Sequence, residues 1–316
     1  MRKPRLAAVL CLAVLPLAGC APNREGAAQS VDEAIAKLPG VASTTMDYDA
    51  GWPKGDERFT LTAVLHDTAT PDQAQAVGKT FADLVKANDF SAFDVALEVK
   101  YRVVDRMNQV PSTSTATIVL DQGNGEGVPA ALKEWLSIAQ SPAVQSVRLS
   151  RPEGAVEITV DQNAKDADLQ ALTKTYPDLD RAQWALTGGS ISETSPFAAD
   201  YPEVYRVQGM IPGAALRDVW KQVVAEVGAA GVVSAQTDMS QKDIPTTVTV
   251  NFPTSRDGEQ NLAQAWMALP LLQKLPQQTK VDFDGAQFIM GGCTSGGADR
   301  STLALEAELR DKFEKC

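Results

Sequence analysis

The run Phe59-Thr60-Leu61-Thr62-Ala63-Val64-Leu65-His66-Asp67-Thr68-Ala69-Thr70-Pro71-Asp72-Gln73 decides the class of fold. Phe59, Leu61, Ala63 and Leu65 recur at every second position, the period of a strand with one buried face. Five residues after Leu65 the signals change to those of a helix start. Thr70 can accept from the amide of Gln73, the Gln73 side chain can reach back, and Pro71 sits where a missing N–H costs nothing. A strand that hands over to a helix so quickly belongs to a mixed α and β chain.

The same alternation extends to both sides. Upstream, an amphipathic helix over Val31 to Leu38, the pair Pro39-Gly40 and a strand over Val41 to Asp47 precede the run. Downstream, the helix runs to about Lys86, and β-rich runs over Phe93 to Val104 and Ser114 to Leu120 end at the turn-forming Gly123-Asn124-Gly125-Glu126-Gly127. The order is αββαββ. A second round follows: a helix over Val128 to Ala139, strands near Val144 to Leu149 and Val156 to Val160, a helix near Ala164 to Thr175, and strands near Gln183 to Leu186 and Val204 to Gln208. The third has a helix over Ala214 to Val227, strands near Val232 to Thr237 and Thr246 to Phe252, a helix over Gly258 to Leu272 and a strand near Lys280 to Phe283. Ala130-Ala131-Leu132-Lys133-Glu134 before Trp135 matches Ala214-Ala215-Leu216-Arg217-Asp218 before Val219-Trp220. Periods of about 85 to 100 residues are too long for a solenoid and suit small α+β units.

The expected fold is therefore α+β. Repeated αββαββ units form antiparallel sheets with helices packed on one face, because each hairpin forces an antiparallel pair and rules out a doubly wound parallel sheet. Adjacent units could also be halves of one larger sheet. The expected boundaries are a leader at 1–19, a tether at 20–30, units at 31–122, 123–210 and 211–292, and a C-terminal helix at 293–316. Leu38-Pro39-Gly40-Val41 resembles the helix-to-strand turn of BON domains, small modules of the bacterial envelope, over these few residues only.

The chain has 316 residues, 44% apolar and 22% charged, which is globular composition. Its formal charge of −11, single histidine and four cysteines leave no basic footprint for nucleic acid and no stock for a histidine-rich metal site or a zinc ribbon. Arg2, Lys3 and Arg5 precede an apolar run from Leu6 to Leu17 that is shorter than the roughly 20 residues a membrane span needs. Leu17-Ala18-Gly19-Cys20 follows at once and resembles the lipobox of bacterial lipoproteins. The resemblance implies a diacylglyceryl group on the Cys20 thiol, cleavage before Cys20 and an anchor on the outer side of a membrane. The alanine-rich composition is similar to that of lipoproteins from high-GC actinobacteria; in a Gram-negative host the same lipobox implies the periplasm. Loss of residues 1–19 removes three basic residues and no acid, so the body becomes more acidic than the chain as a whole. Such a surface is repelled by anionic headgroups, and attachment would depend on the acyl chains. A flexible tether over residues 21–30 would reach about 35 Å.

With Cys11 in the leader and Cys20 lipidated, Cys293 and Cys316 remain, and two thiols outside the cytoplasm normally pair. The bridge would close a loop of about 24 residues, stabilise by roughly 3.5 kcal/mol through chain entropy, and pin a helix over Ser301 to Lys315 that carries Leu305, Leu309 and Phe313 on one face. A redox or nucleophilic role for Cys293 has no C-x-x-C and no evident base behind it.

No catalytic residue, cofactor or metal site is assigned. His66-Asp67 invites a triad, but no G-x-S-x-G or S-x-x-K completes it. Gly123-x-Gly125 would need its third glycine at Val128, and Asp121 and Glu126 would repel a pyrophosphate. The glycines around Cys293 lack a Gly-Lys-Ser/Thr. Asp47, Asp49 and Gly51 fail as a calcium loop, with Trp52 at the turn-glycine place and Arg58 at that of the bidentate acid; Asp282, Asp284 and Gly285 fail likewise. Trp135 and Trp220 lie on apolar helical stripes and read as core. Trp52, in a turn, is the candidate surface contact, and Ser190 to Pro202 reads as a loop. Three functions follow from this: a noncatalytic, membrane-anchored envelope protein that binds or organises another envelope protein or wall polymer; a carrier or sensor of a lipid or small apolar molecule; and, last, an enzyme that uses scattered carboxylates.

Overall fold

The structure is a computed structural model. It describes residues 24–51, 57–102, 113–120, 125–151, 154–161, 163–187, 204–208, 210–227, 232–238, 246–251, 266–275, 279–283, 286–293 and 304–316. In chain order the elements are α1 (Glu25–Ala36), β1 (Val41–Asp49), β2 (Arg58–Leu65), α2 (Pro71–Ala87), β3 (Asp94–Tyr101), β4 (Ser114–Leu120), α3 (Val128–Ala139), β5 (Val144–Arg151), β6 (Ala155–Val160), α4 (Asp166–Thr175), β7 (Gln183–Thr187), β8 (Val204–Gln208), α5 (Ala214–Val227), β9 (Val232–Asp238), β10 (Thr246–Asn251), a helix α6 described at 266–272, β11 (Thr279–Phe283), β12 (Ala286–Met290) and α7 (Ala304–Phe313). A short 3-10 turn over Pro177–Arg181 links α4 to β7.

The local signals explain these elements. At the start of α2, the Thr70 hydroxyl accepts from the Gln73 amide at 3.3 Å, and the Gln73 side chain accepts from the Thr70 amide at 2.8 Å, so both halves of the capping box are closed. Strands β2 and β3 show strict alternation: Phe59, Leu61, Ala63 and Leu65, and Val95, Leu97, Val99 and Tyr101, are buried, while the residues between them are part-exposed.

The sheet differs from the expectation. All twelve strands form one sheet, in which each strand lies beside its neighbours in sequence. Hairpin partners are antiparallel, but β2–β3, β4–β5, β6–β7, β8–β9 and β10–β11 are parallel, so the expected antiparallel sheets are replaced by one mixed sheet. The cause lies in the crossovers. A helix carries the chain back to the end from which the last strand started, and the next strand runs beside it in the same direction. The parallel pairs β4–β5 and β8–β9 join the stretches 31–122, 123–210 and 211–292 into a continuous ladder. Two further expectations are corrected. Helix α1 begins at Glu25 and not near Val31, because Ala28 continues the buried stripe of Val31 and Ile35, so residues 25–30 are helix and not tether. A twelfth strand, Ala286–Met290, pairs with β11 where no strand was expected.

One apolar core runs along the sheet and takes in buried residues of both strands and helices. Near its start, Phe59 stacks on Phe90 with centroids 5.0 Å apart and meets Phe81 at 6.0 Å, while Phe93 presents its edge to Phe90. Trp135 of α3 donates its indole N–H to the Val147 carbonyl at 3.3 Å. Gly78 lets α2 and α3 approach: a Cβ there would lie 2.9 Å from Leu132 Cδ1 and 3.3 Å from the Pro129 Cα.

Candidate functional site

The outer face of the sheet, opposite the buried one, is assembled by register. One row passes through seven strands in pairing order: Val64, Lys100, Thr115, Arg148, Glu157, Gln183 and Gln208. A second runs through Thr159, Ala185, Arg206, Gln236, Thr247, Lys280 and Ile289. Side chains at these places point away from the apolar layer, since successive residues of a strand point to opposite faces; Lys100, Thr115, Glu157 and Arg206 are part-exposed there, whereas Thr159, Ala185 and Ile289 are buried.

The charges of this face pair with one another. Arg58 meets Asp47 at 3.0 Å, Lys100 meets Glu98 at 3.3 Å, and Arg206 meets Glu157 at 3.5 Å. Thr62 donates to Glu98 at 2.9 Å, and Gln287 donates to Asp282 at 3.0 Å. Part-exposed pairs of this kind stabilise by about 1 kcal/mol at most. Their larger consequence is electrostatic: Asp47, Asp49, Asp94, Glu98, Glu157, Asp238 and Asp282 share this face with Arg58, Lys100, Arg148, Arg206 and Lys280, so charges of both signs are interspersed along it.

The two edges of the sheet are unlike. On β12 the Ile289 amide donates to Glu314 Oε1 at 3.0 Å, and the Gln287 carbonyl accepts from Arg310 Nε at 3.3 Å. Gly291 donates to the Phe313 carbonyl and Lys315 to that of Gly292, at 3.0 and 2.9 Å. Helix α7 thus lies along this edge, with Phe313 stacked between Phe288 and Trp266. Cys293 and Cys316 form a disulfide with Cα atoms 5.0 Å apart, which fastens the end of the chain beside β12. Glu314 stands close to both sulfurs, but sulfurs bonded to each other are not metal ligands. The opposite edge is β1, whose Ala42, Ser43, Thr45, Asp47 and Asp49 are exposed.

Inside the core, the Tyr205 hydroxyl lies 2.7 Å from Thr237 Oγ1, which lies 2.9 Å from Thr246 Oγ1. Burial pushes the Tyr205 phenol above its ordinary value of 10.0, against the opposing pull of Thr237 and Thr246. Trp220 packs edge-on to Tyr205 at 5.1 Å, and the indole N–H groups of Trp184 and Trp220 are buried with no hydrogen-bond partner among the described residues. The signal for this chain of hydroxyls was present in the sequence, since Thr237 and Thr246 fall in phase with the apolar positions Ala235 and Val248. Threonine at alternate strand positions reads equally well as solvent-facing, and the buried reading was missed.

The remaining sequence candidates are placed as follows. Trp135 and Trp220 are buried, as their helical stripes imply. His66 is exposed at the end of β2, where its backbone donates to Gly40 and accepts from Ala69, and the Asp67 carbonyl accepts from the Tyr101 hydroxyl. Gly127 holds the left-handed conformation, φ +82°, at the start of α3, as the turn reading requires. Cys20, Trp52, Gly123 and the stretch Ser190 to Pro202 lie outside the described residues. No helix among the described residues is long and apolar enough to cross a membrane. In comparison with known proteins, no family model, no curated protein and no solved structure matches the chain.

Proposed function

We propose that the chain is a noncatalytic lipoprotein of the bacterial envelope, anchored through Cys20 on the extracytoplasmic side, which binds another envelope protein or a wall polymer through the outer face of its sheet. The observation that supports this reading is the division of the sheet into an apolar face and a polar, hydrogen-bonding face of mixed charge with part-exposed Thr62, Glu98, Lys100 and Arg206. We take the architecture to be a repeated helix-plus-hairpin unit with every helix on the buried side. Right-handed β-α-β crossovers that all advance in one direction along a sheet place their helices on one side, which leaves the other side for a partner.

The anchor reading rests on the leader, and one contact bears on its geometry. The Arg24 amide donates to the Tyr48 hydroxyl at 2.8 Å, so a lipid on Cys20 would hold the end of β1 within about 14 Å of the bilayer, at 3.5 Å per residue. The carrier reading needs room beneath the helices, and large buried side chains, among them Trp135, Trp184, Phe59, Phe81 and Phe288, occupy that layer.

Metabolic labelling with a clickable fatty acid tests the anchor: the wild-type chain takes up label and sediments with membranes, and Cys20→Ala does neither. Label on the variant, or none on the wild type, would overturn it. The binding face is tested with a photo-crosslinking residue at exposed Thr117, against one at Lys133 on α3. Adducts from position 117 alone are expected, whereas equal adducts from both positions would remove the outer face from the proposal.

A further inference from the structure

Among the described residues the sheet has one closed edge and one open edge, and we infer that the open edge, β1, pairs with β1 of a second copy of this chain. The inference rests on the fold alone and does not depend on the anchor or on the outer-face reading.

A sheet edge turns unpaired N–H and C=O groups outward, and such edges recruit other strands unless they are covered, bulged or charged. On β12 the outward groups are taken: Ile289 by Glu314, Gln287 by Arg310, with the end of α7 locked beside them by Cys293–Cys316. On β1, a nine-residue strand, pairing to β2 uses one side only, and no strand among the described residues lies on the other. Asp94 donates to Glu57 and His66 to Gly40, so the even-numbered residues of β2 turn their backbone groups toward β1; Ser43, Thr45 and Asp47 pair with them, and the N–H and C=O groups of Thr44 and Met46 point away from β2.

The sequence of β1 selects the occupant. A register shift between Val41 and Ser43 breaks the ladder at Ala42, so the regular strand begins at Ser43. Antiparallel pairing of two copies about a two-fold axis at Thr45 sets Thr45 against Thr45, Thr44 against Met46, and Ser43 against Asp47. The Ser43 hydroxyl can then donate to the Asp47 carboxylate of the other copy. A parallel pairing in register would instead stack Asp47 on Asp47 and Asp49 on Asp49, and like charges directly opposite one another repel. With β12 closed, a contact between two β1 strands is isologous and uses up both open edges, so assembly stops at a dimer and does not continue to a fibre. A five-residue ladder covers less than the roughly 800 Å² per partner of a standard interface, so the dimer is expected to dissociate on dilution.

Cross-linking of the full chain reads the register directly. Under copper-phenanthroline, Thr45→Cys gives a disulfide dimer on a non-reducing gel, two thiols losing two protons and two electrons to the oxidant. Ser43→Cys alone does not dimerise beyond the wild-type background, whereas the Ser43→Cys/Asp47→Cys double variant does. Sedimentation velocity across a hundred-fold range of concentration gives a monomer–dimer equilibrium for the wild type. For Thr45→Lys, which sets lysine against lysine, it gives association at least ten-fold weaker. Thr45 is exposed, so the variant keeps its fold, as an unchanged thermal midpoint would verify. A wild type that stays monomeric throughout, or a Ser43→Cys variant that cross-links as well as Thr45→Cys, overturns the inference.

Discussion

At the scale of single residues, the covered layer of the C-terminal half is notable for holding polar groups. Tyr205, Thr237 and Thr246 satisfy one another across three strands, and the phenol must stay neutral there because its anion would be desolvated. The pH dependence follows. A tyrosine whose folded pKa is raised binds its proton more tightly in the fold than in the unfolded chain, so its contribution to stability is complete below pH 10 and is lost as pH rises through the higher folded value. Alkaline unfolding followed by circular dichroism should therefore steepen above pH 10 in the wild type, and Tyr205→Phe should remove part of that slope. At neutral pH the same substitution costs only about 1 kcal/mol, the worth of one hydrogen bond, since Thr237 keeps Thr246 as a partner. Identical alkaline profiles for the two proteins would show that the phenol is not shielded.

At the scale of elements, legibility depended on whether a segment carries its own signal. The Thr70 capping box and the alternation of Phe59 to Leu65 are local, and both are found where the sequence places them. Helix α1 was cut short because Gly26, Ala27, Ala28 and Ser30 have the composition of a tether, and only tertiary burial of Ala28 reveals them as helix. Strand β12 was missed because Ala286-Gln287-Phe288-Ile289-Met290 is five residues long, is flanked by glycine and barely alternates; its Ile289 and Met290 are both buried, one against each face. The pairing of Cys293 with Cys316 followed in the sequence from assigning Cys11 to the leader and Cys20 to the lipid, which leaves two thiols, and the structure holds these two bonded. Its effect is an element-scale prediction: a double Cys293→Ser/Cys316→Ser variant should lose about 3 kcal/mol in chemical denaturation, near the chain-entropy figure for a loop of this length. Phe313, between Phe288 and Trp266, should keep α7 docked in the variant at low temperature. A loss below 1 kcal/mol would mean that α7 is held by its aromatic contacts alone.

At the scale of the whole molecule, strand direction is what the sequence could not supply. Nothing in Arg58–Leu65 or Asp94–Tyr101 says that the two lie side by side and parallel, because pairing partners are chosen by the crossover between them and not by either strand. The resulting sheet is nearly one-dimensional: every strand hydrogen-bonds only to its neighbours in sequence, from β1 to β12. In such an array stability approximates a sum of local units and the couplings between neighbours, so damage at one end need not reach the other. Against this, a single apolar core runs along the sheet and could couple all of it. Phe288→Ala decides between the two. Phe288 is buried on β12 against Phe313, and its loss costs on the order of 3–5 kcal/mol. Hydrogen exchange read by mass spectrometry should then rise in β10, β11, β12 and α7, while the amides of β2, β3 and α2 keep their wild-type protection. Those N-terminal elements have their own aromatic cluster in Phe59, Phe81 and Phe90, which Phe288 does not touch. Equal acceleration along the whole chain would show one cooperative unit, in which the shared core outweighs the linear order of the strands.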